Sequence, residues 1–245
     1  MPNNTRTAIV TGASRGIGAA IARQLAADGF RAVVNYASNA GEAEKVVADI
    51  ESAGGRAIAV RADVSDAKDV ASLFERTEAE LGPVDVLVNN AGISRFGLLA
   101  EFSDEDFQRL IAVNLTGTFN GMREGARRIR DGGRIINLST SIIGHYSPGN
   151  GLYAATKAAV EAMTHTLAKE LGSRAITVNA VAPGPVATEL LLAGRSAEVL
   201  QRLTNDIPLG RLGQPEDIAE VVSFLASPDS GWVNGQVIKA NGGRN

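Results

Sequence analysis

The sequence predicts an α/β protein: a doubly wound, seven-stranded parallel sheet with helices on both faces. Three observations predict it. Short β-branched runs alternate with Ala-rich helical patterns along the chain, most of the runs are continuously apolar, and the first run leads directly into a glycine-rich turn that opens a helix. In chain order, strands are expected at 7–11, 32–36, 57–62, 86–89, 134–138, 176–181 and 236–240. Helical patterns at 17–28, 41–53, 67–81, 104–130, 154–171 and 215–226 fill the gaps. Ser103 ahead of acidic residues and Pro215 at a first turn mark two of the helix starts. The stretch 187–213 fits less well: it is partly apolar, strandless, and interrupted by Gly194, Pro208 and Gly210. A segment of this kind in a compact fold reads as a substrate loop or lid. With no repeat, low-complexity tract or linker, residues 1–245 are expected to form a single domain.

Composition narrows the function. A chain of 245 residues can bury one full core. Its 24 Lys+Arg against 27 Asp+Glu leave a formal charge of −3, and no basic run stands out, so neither nucleic acid nor an anionic membrane is expected as a partner. The absence of cysteine excludes disulfides, thiolate metal sites and cysteine nucleophiles, and suits a reducing compartment. His145 and His165 are far apart and lack carboxylates at ligand spacing, so no metal is expected; His145 reads as a substrate-loop residue and His165 as a helix-surface residue. The start shows no apolar segment followed by a cleavage site, and no apolar stretch has the length of a membrane span; the expected location is cytoplasmic.

The strand at 7–11 runs into Gly12-Ala-Ser-Arg-Gly16-Ile-Gly18 and then into a helix. Glycines there let backbone N–H groups and a helix N-terminus approach a pyrophosphate that side chains would obstruct. The spacing differs from Gly-x-Gly-x-x-Gly, and no Gly-Lys-Ser/Thr follows, which excludes a P-loop. The segment Thr11–Gly18 resembles the Thr-Gly-x-x-x-Gly-x-Gly signature of the short-chain dehydrogenase/reductase family. Further motifs of that family stand in order: Asp63-Val64, Asn89-Asn90-Ala91-Gly92, Asn114 in Val-Asn-Leu-Thr-Gly, Tyr153-x-x-x-Lys157 and Pro183-Gly184. The resemblance covers essentially the whole chain and implies a Rossmann fold.

It also implies cofactor contacts at Gly12, Ser14, Arg15, Gly16, Ile17 and Gly18 around the pyrophosphate, and at Asp63 and Val64 by the adenine. Asn90, Ala91, Gly92 and Val113 would lie along the ribose, and Pro183, Gly184, Val186 and Thr188 by the nicotinamide; Asn89 reads as a brace of the central strand. At the adenosine corner the second strand ends Asn35-Tyr36-Ala37-Ser38 with no carboxylate to repel a 2′-phosphate, and Arg15 can reach that corner. NADP(H) is therefore expected in preference to NAD(H).

Tyr153 and Lys157, four residues apart in a helical pattern, emerge on one face. An ammonium near a phenol favours phenolate, so Lys157 is expected to lower the Tyr153 pKa and make Tyr153 a proton donor and acceptor. By resemblance, Lys157 also holds the nicotinamide ribose, and Asn114 anchors a water in a proton relay, its mid-helix amide freeing a main-chain carbonyl. The family's carbonyl-polarising serine falls among Ser139-Thr140-Ser141. Counting three back from Gly144 selects Ser141, while counting thirteen back from Tyr153 selects Thr140. Ser141 is the expected residue, with a one-residue shortening in loop 145–152; Ser139, taken as the end of the strand, is the second choice.

The reaction so implied is reduction of a ketone, with a 3-oxoacyl thioester or keto ester among the candidates, to a secondary alcohol. The alternatives are an NAD(P)-dependent alcohol, sugar or steroid dehydrogenase running oxidatively, and a non-catalytic dinucleotide sensor. Arg127, Arg128, Arg130 and Arg174 are candidates for meeting an acidic acyl-carrier protein, against a plainer reading as solvated helix charges. The resemblance further implies a homotetramer through helices 104–130 and 154–171 and the segment 232–243.

Overall fold

Seven parallel strands form one sheet in the order β3-β2-β1-β4-β5-β6-β7 in the computed structural model, which describes residues 5–193 and 195–245 and only the backbone of Leu190. Gly194, expected to interrupt the 187–213 segment, lies outside the described residues. The strands are β1 (Thr7–Val10), β2 (Arg31–Tyr36), β3 (Arg56–Arg61), β4 (Val86–Asn89), β5 (Arg134–Leu138), β6 (Thr177–Pro183) and β7 (Val237–Ala240). β1 pairs with β2 on one side (Ala8↔Ala32) and with β4 on the other (Ala8↔Val86). The connections turn outward in opposite directions from that point, so a crevice opens beyond the carboxyl ends of β1 and β4.

The period of two along each strand divides the core. Ala8, Val10, Val34, Val88, Ile136 and Leu138 face α1 (Gly16–Ala27), α2 (Ala40–Ser52) and α9 (Pro215–Ala226). Ile9, Val33, Leu87, Ile135 and Val178 face the other way, toward α3 (Ala67–Leu81), α5 (Gly117–Arg128) and α6 (Gly151–Glu170). β1, β4, β5 and β6 are buried at every residue, which accounts for their unbroken apolar runs. Helix starts follow the local signals. Ser103 accepts from Asp106 N at 3.1 Å, Asp66 accepts from Lys68 N and Asp69 N, and Gln214 and Asp217 form a capping box around Pro215.

Two elements depart from expectation. The 104–130 pattern is interrupted: α4 (Asp104–Leu110) passes through a π-helical turn at Ile111–Thr116 before α5 begins. Contacts on both sides hold the widened turn. Asn114 is hydrogen-bonded across to Ile93, and Gly117 lies so close to Val64 that an added Cβ would stand 2.7 Å from Val64 Cγ2. Within 187–213, two short helices form, α7 (Glu189–Leu192) and α8 (Ala197–Asn205), and α8 buries none of its residues. Among the described residues, no helix is long and apolar enough to cross a membrane.

Candidate active site

The glycine turn is shaped by contacts that leave no room for side chains. Gly12 has φ +61°, and a Cβ on it would sit 2.9 Å from Ala91 Cα; on Gly18 a Cβ would fall 2.4 Å from Asn90 Nδ2. Thr11 and Asn90 fasten the turn to the β4 exit. The Thr11 hydroxyl accepts from the backbone N–H groups of Asn90 and Ala91, each at 3.0 Å, and Asn90 Nδ2 donates to the carbonyls of Thr11 (2.8 Å) and Gly12 (3.1 Å). The residue preceding α1, Arg15, makes no side-chain cap, so the N-terminal N–H groups of that helix have no side-chain acceptor. An uncapped helix N-terminus behind a turn that excludes side chains fits a dinucleotide pyrophosphate, with Gly12, Ser14, Gly16, Ile17 and Gly18 as its lining.

Asn35 does not serve as a surface ligand. It is 1% exposed, its Oδ1 accepts from Gly12 N at 3.2 Å, and its Nδ2 donates to the Val60 and Ala62 carbonyls. Its amide braces the glycine turn against β3, because a polar side chain at an inward position of a buried strand must be satisfied internally. Tyr36, Ala37 and Ser38 remain at the corner. Arg15 pairs its exposed guanidinium with Glu189 at 3.0 Å. Asp63 accepts from the N–H and hydroxyl of Ser65, and Val64 is buried with its carbonyl taken by Asn120. Asn89 is the expected brace, donating to Asn137 Oδ1 at 2.8 Å. Gly184 approaches Asn241 so closely that a Cβ would lie 2.7 Å from its Cα; Val186 bridges to Gly213, and Thr188 lies against Gly16.

At the other end of the crevice, α6 begins early enough to place Tyr153 in its first turn and Lys157 in its second. Lys157 is 3% exposed and donates to the Leu138 carbonyl at 2.7 Å, and burial lowers its pKa to about 8. Burial pushes the Tyr153 phenol up to about 12, opposed only by a hydrogen bond with the Thr140 hydroxyl. The expected lowering of Tyr153 by Lys157 is therefore not found in the protein by itself: burial raises the phenol, and the ammonium is turned to the end of β5. The Phe96 ring meets Tyr153 edge-on, 5.7 Å between centroids and 71° between planes.

The three neighbouring residues are held in different ways. Ser139 Oγ donates to Glu161 on α6, as suits a residue closing the strand. Ser141 holds the loop through its backbone: its N–H donates to the Pro183 carbonyl and its carbonyl accepts from Asn245 Nδ2 at 2.7 Å. The Thr140 hydroxyl accepts from Ile142 N at 3.3 Å and is the one that lowers the Tyr153 phenol against the effect of burial. Ser141, selected by the count from Gly144, and Thr140, selected by the count from Tyr153, both follow directly on β5. Asn114 is fully buried; its Oδ1 accepts from Ile93 N at 2.8 Å, and its main-chain carbonyl accepts from the Thr118 hydroxyl at 2.8 Å, so one lone pair of that carbonyl is already taken. Gly92 fills the gap between Asn114 and Lys157, where an added Cβ would lie 3.4 Å from Asn114 Oδ1 and 3.5 Å from Lys157 Nζ. Val113, in the same π-helical turn, packs against the core.

His145 lies exposed in the loop after Gly144, and His165 lies on the α6 surface with Nδ1 2.8 Å from the Gly235 carbonyl. Among the described residues, no cluster could hold a metal ion. Two contributors were missed from sequence: Glu189, the partner of Arg15, and Asn245, distant in sequence and without a local signal.

A crevice at the sheet's switch point, closed at one end by a side-chain-free phosphate cradle and at the other by a half-buried tyrosine and a buried lysine, defines a dinucleotide-dependent oxidoreductase. Comparison with known proteins specifies the kind. The sequence profile of a family described as Enoyl-(Acyl carrier protein) reductase matches residues 12–245. NADPH-dependent aldehyde reductase 2, chloroplastic, of Arabidopsis thaliana is 49% identical, over 97% of this chain and 93% of its own. A 3-oxoacyl-(acyl-carrier-protein) reductase of Staphylococcus aureus is 43% identical over 98% of each. A solved short-chain dehydrogenase of Burkholderia cenocepacia J2315 in complex with NADP superposes with a TM-score of 0.93 at 38% identity, covering 98% of both chains. The chain belongs to the short-chain dehydrogenase/reductase family.

Proposed function

We propose that the protein uses NADPH to reduce the carbonyl of a small apolar ketone to a secondary alcohol, with Tyr153 as general acid. The observation that carries this reading is geometric: Tyr153 and Lys157 stand one helical turn apart on α6, with the Lys157 ammonium held at the end of β5. Burial raises the phenol, so it keeps its proton at neutral pH, as a donor to a carbonyl oxygen must. Bound in the crevice, the dinucleotide supplies the hydride. Thr140 donates its hydroxyl to the carbonyl oxygen and Tyr153 passes it a proton. Lys157, with a pKa of about 8, is still largely charged at pH 7 and stabilises the phenolate that Tyr153 leaves, one helical turn away. Phe96 and Leu192 offer apolar surface at the mouth, and 187–213 serves as the lid.

The missing carboxylate at the β2 exit supports NADP(H), as do the relatives whose names include NADPH or NADP. A carrier-borne substrate has less support, because Arg127, Arg128, Arg130 and Arg174 are each paired with a carboxylate: Glu124, Glu78, Asp85 and Asp131. Trp232, 99% exposed ahead of β7, together with Phe119 and Phe224, marks the surface a homotetramer would cover. A second reading, reduction of an aldehyde, is favoured by the Arabidopsis relative. NADPH oxidation followed across ketones, keto esters, 3-oxoacyl thioesters and aldehydes tests both. Turnover of ketones that falls about a thousandfold in Tyr153→Phe is the expected result. Turnover confined to aldehydes selects the second reading, and undiminished turnover in Tyr153→Phe overturns the mechanism.

A further inference from the structure

Cofactor selection in a doubly wound fold is made at the carboxyl end of the second strand, where the adenosine ribose rests. In this chain that end is Tyr36-Ala37-Ser38, with neither a carboxylate nor a cation of its own. Arg15, the cation expected to serve it, is drawn to Glu189 on the lid side of the glycine turn. The neighbouring edge strand supplies another. β3 pairs with β2 so that Arg61 stands directly opposite Tyr36, and Arg61 Nε donates to the Ala37 carbonyl at 3.2 Å. That bond hooks the guanidinium against the backbone of the ribose corner. Among the described residues no carboxylate lies within ion-pair distance of Arg61, and its terminal nitrogens make no hydrogen bond to protein; Asp63, two residues on, is turned to Ser65.

We infer that Arg61 is the ligand of the cofactor's 2′-phosphate and the main source of discrimination against a dinucleotide lacking it, an inference that rests on the NADP(H) reading above. A guanidinium fixed through Nε presents its two terminal nitrogens side by side, a geometry that matches two phosphate oxygens. Arg15 then acts chiefly between turn and lid, and Arg61 at the phosphate.

Calorimetric titration of the whole protein with adenosine 2′,5′-bisphosphate and with 5′-AMP tests this without reference to turnover. Arg61→Gln should weaken the bisphosphate about tenfold, the loss of one charge-assisted contact at an exposed site, and leave 5′-AMP unchanged. Arg61→Lys should recover part of the loss, and Arg15→Gln should cost less than Arg61→Gln. A wild-type preference for the bisphosphate that persists in Arg61→Gln overturns the role of Arg61 alone. Equal weakening of both ligands overturns it too, by reducing Arg61 to an anchor of the Ala37 backbone. Wild-type protein that binds both ligands equally overturns the NADP(H) reading and this inference together.

Discussion

Two helices of the fold, α1 and α8, are built in opposite ways. α1 carries the phosphate cradle and buries seven of its twelve residues, including Ile21 and Leu25, beneath the sheet's switch point. α8, in the lid, has nine residues and buries none. The dinucleotide is the same in every turnover, so its cradle can be preformed and deeply rooted. The substrate must enter and leave, and the segment proposed as its lid is drawn from the least anchored part of the fold.

Substitutions of one kind should separate the two most sharply. Ile21→Ala, at a fully buried position of α1, should cost roughly 2–5 kcal/mol, whereas Val199→Ala in α8 should stay within about 0.5 kcal/mol. Urea denaturation of both variants measures the contrast, and similar losses would erase it.

Next in size is the pH dependence of the catalytic end. Below pH 8 both folded and unfolded chains hold the Lys157 proton and the burial penalty is complete; between about 8 and 10.5 the unfolded chain binds more protons, so stability rises with pH. The gain from this group is on the order of 3 kcal/mol at most. Tyr153 acts in the opposite sense, its contribution being lost as pH climbs from 10 toward 12. Denaturation from pH 7 to 10 should show wild type gaining on Lys157→Met, while a constant gap would place the lysine in contact with water.

A smaller difference is expected between adjacent hydroxyls. Thr140→Ala should lower kcat/KM about 10- to 100-fold with cofactor affinity retained, and Ser141→Ala should lower it less. The reverse order would return the polarising role to Ser141. Smallest is the junction where the lid rejoins the core. Arg211 and the α9 N-terminus hold the Asp217 carboxyl near pH 2, so Asp217→Asn should cost up to about 1 kcal/mol at neutral pH, discounted for the exposure of the pair. That difference should fade as pH falls from about 4 toward 2, and its persistence at pH 2 would assign it to packing.

Most of the sheet was legible because each strand carries its own apolar run and several crossovers carry their own cap. The phosphate turn and the Tyr153–Lys157 pair were legible for the same reason, being local spacings. What escaped depends on contacts that spacing does not contain. Asn35 looked like a surface ligand until the inward side of β2 placed its amide between the glycine turn and β3. The choice between Thr140 and Ser141 turns on how the chain leaves β5, which is set partly by Asn245 holding the carbonyls of Ser141 and Ile143. The Tyr153 pKa is decided by how much water the folded site excludes, a property of the whole assembly. Arg61 gains its meaning only from the register that sets it opposite Tyr36.

The Arg15–Glu189 pair joins the cradle to the lid through a single exposed contact, worth less than about 1 kcal/mol by itself. Its weight lies in thermodynamic reciprocity. A ligand that draws Arg15 from Glu189 loosens the lid, and a ligand that reorders the lid changes how freely Arg15 can move, by the same free energy in both directions. If 187–213 closes on the substrate as proposed, occupancy of the two halves of the crevice would be coupled, and Glu189→Gln should make the affinity for each ligand less sensitive to the presence of the other.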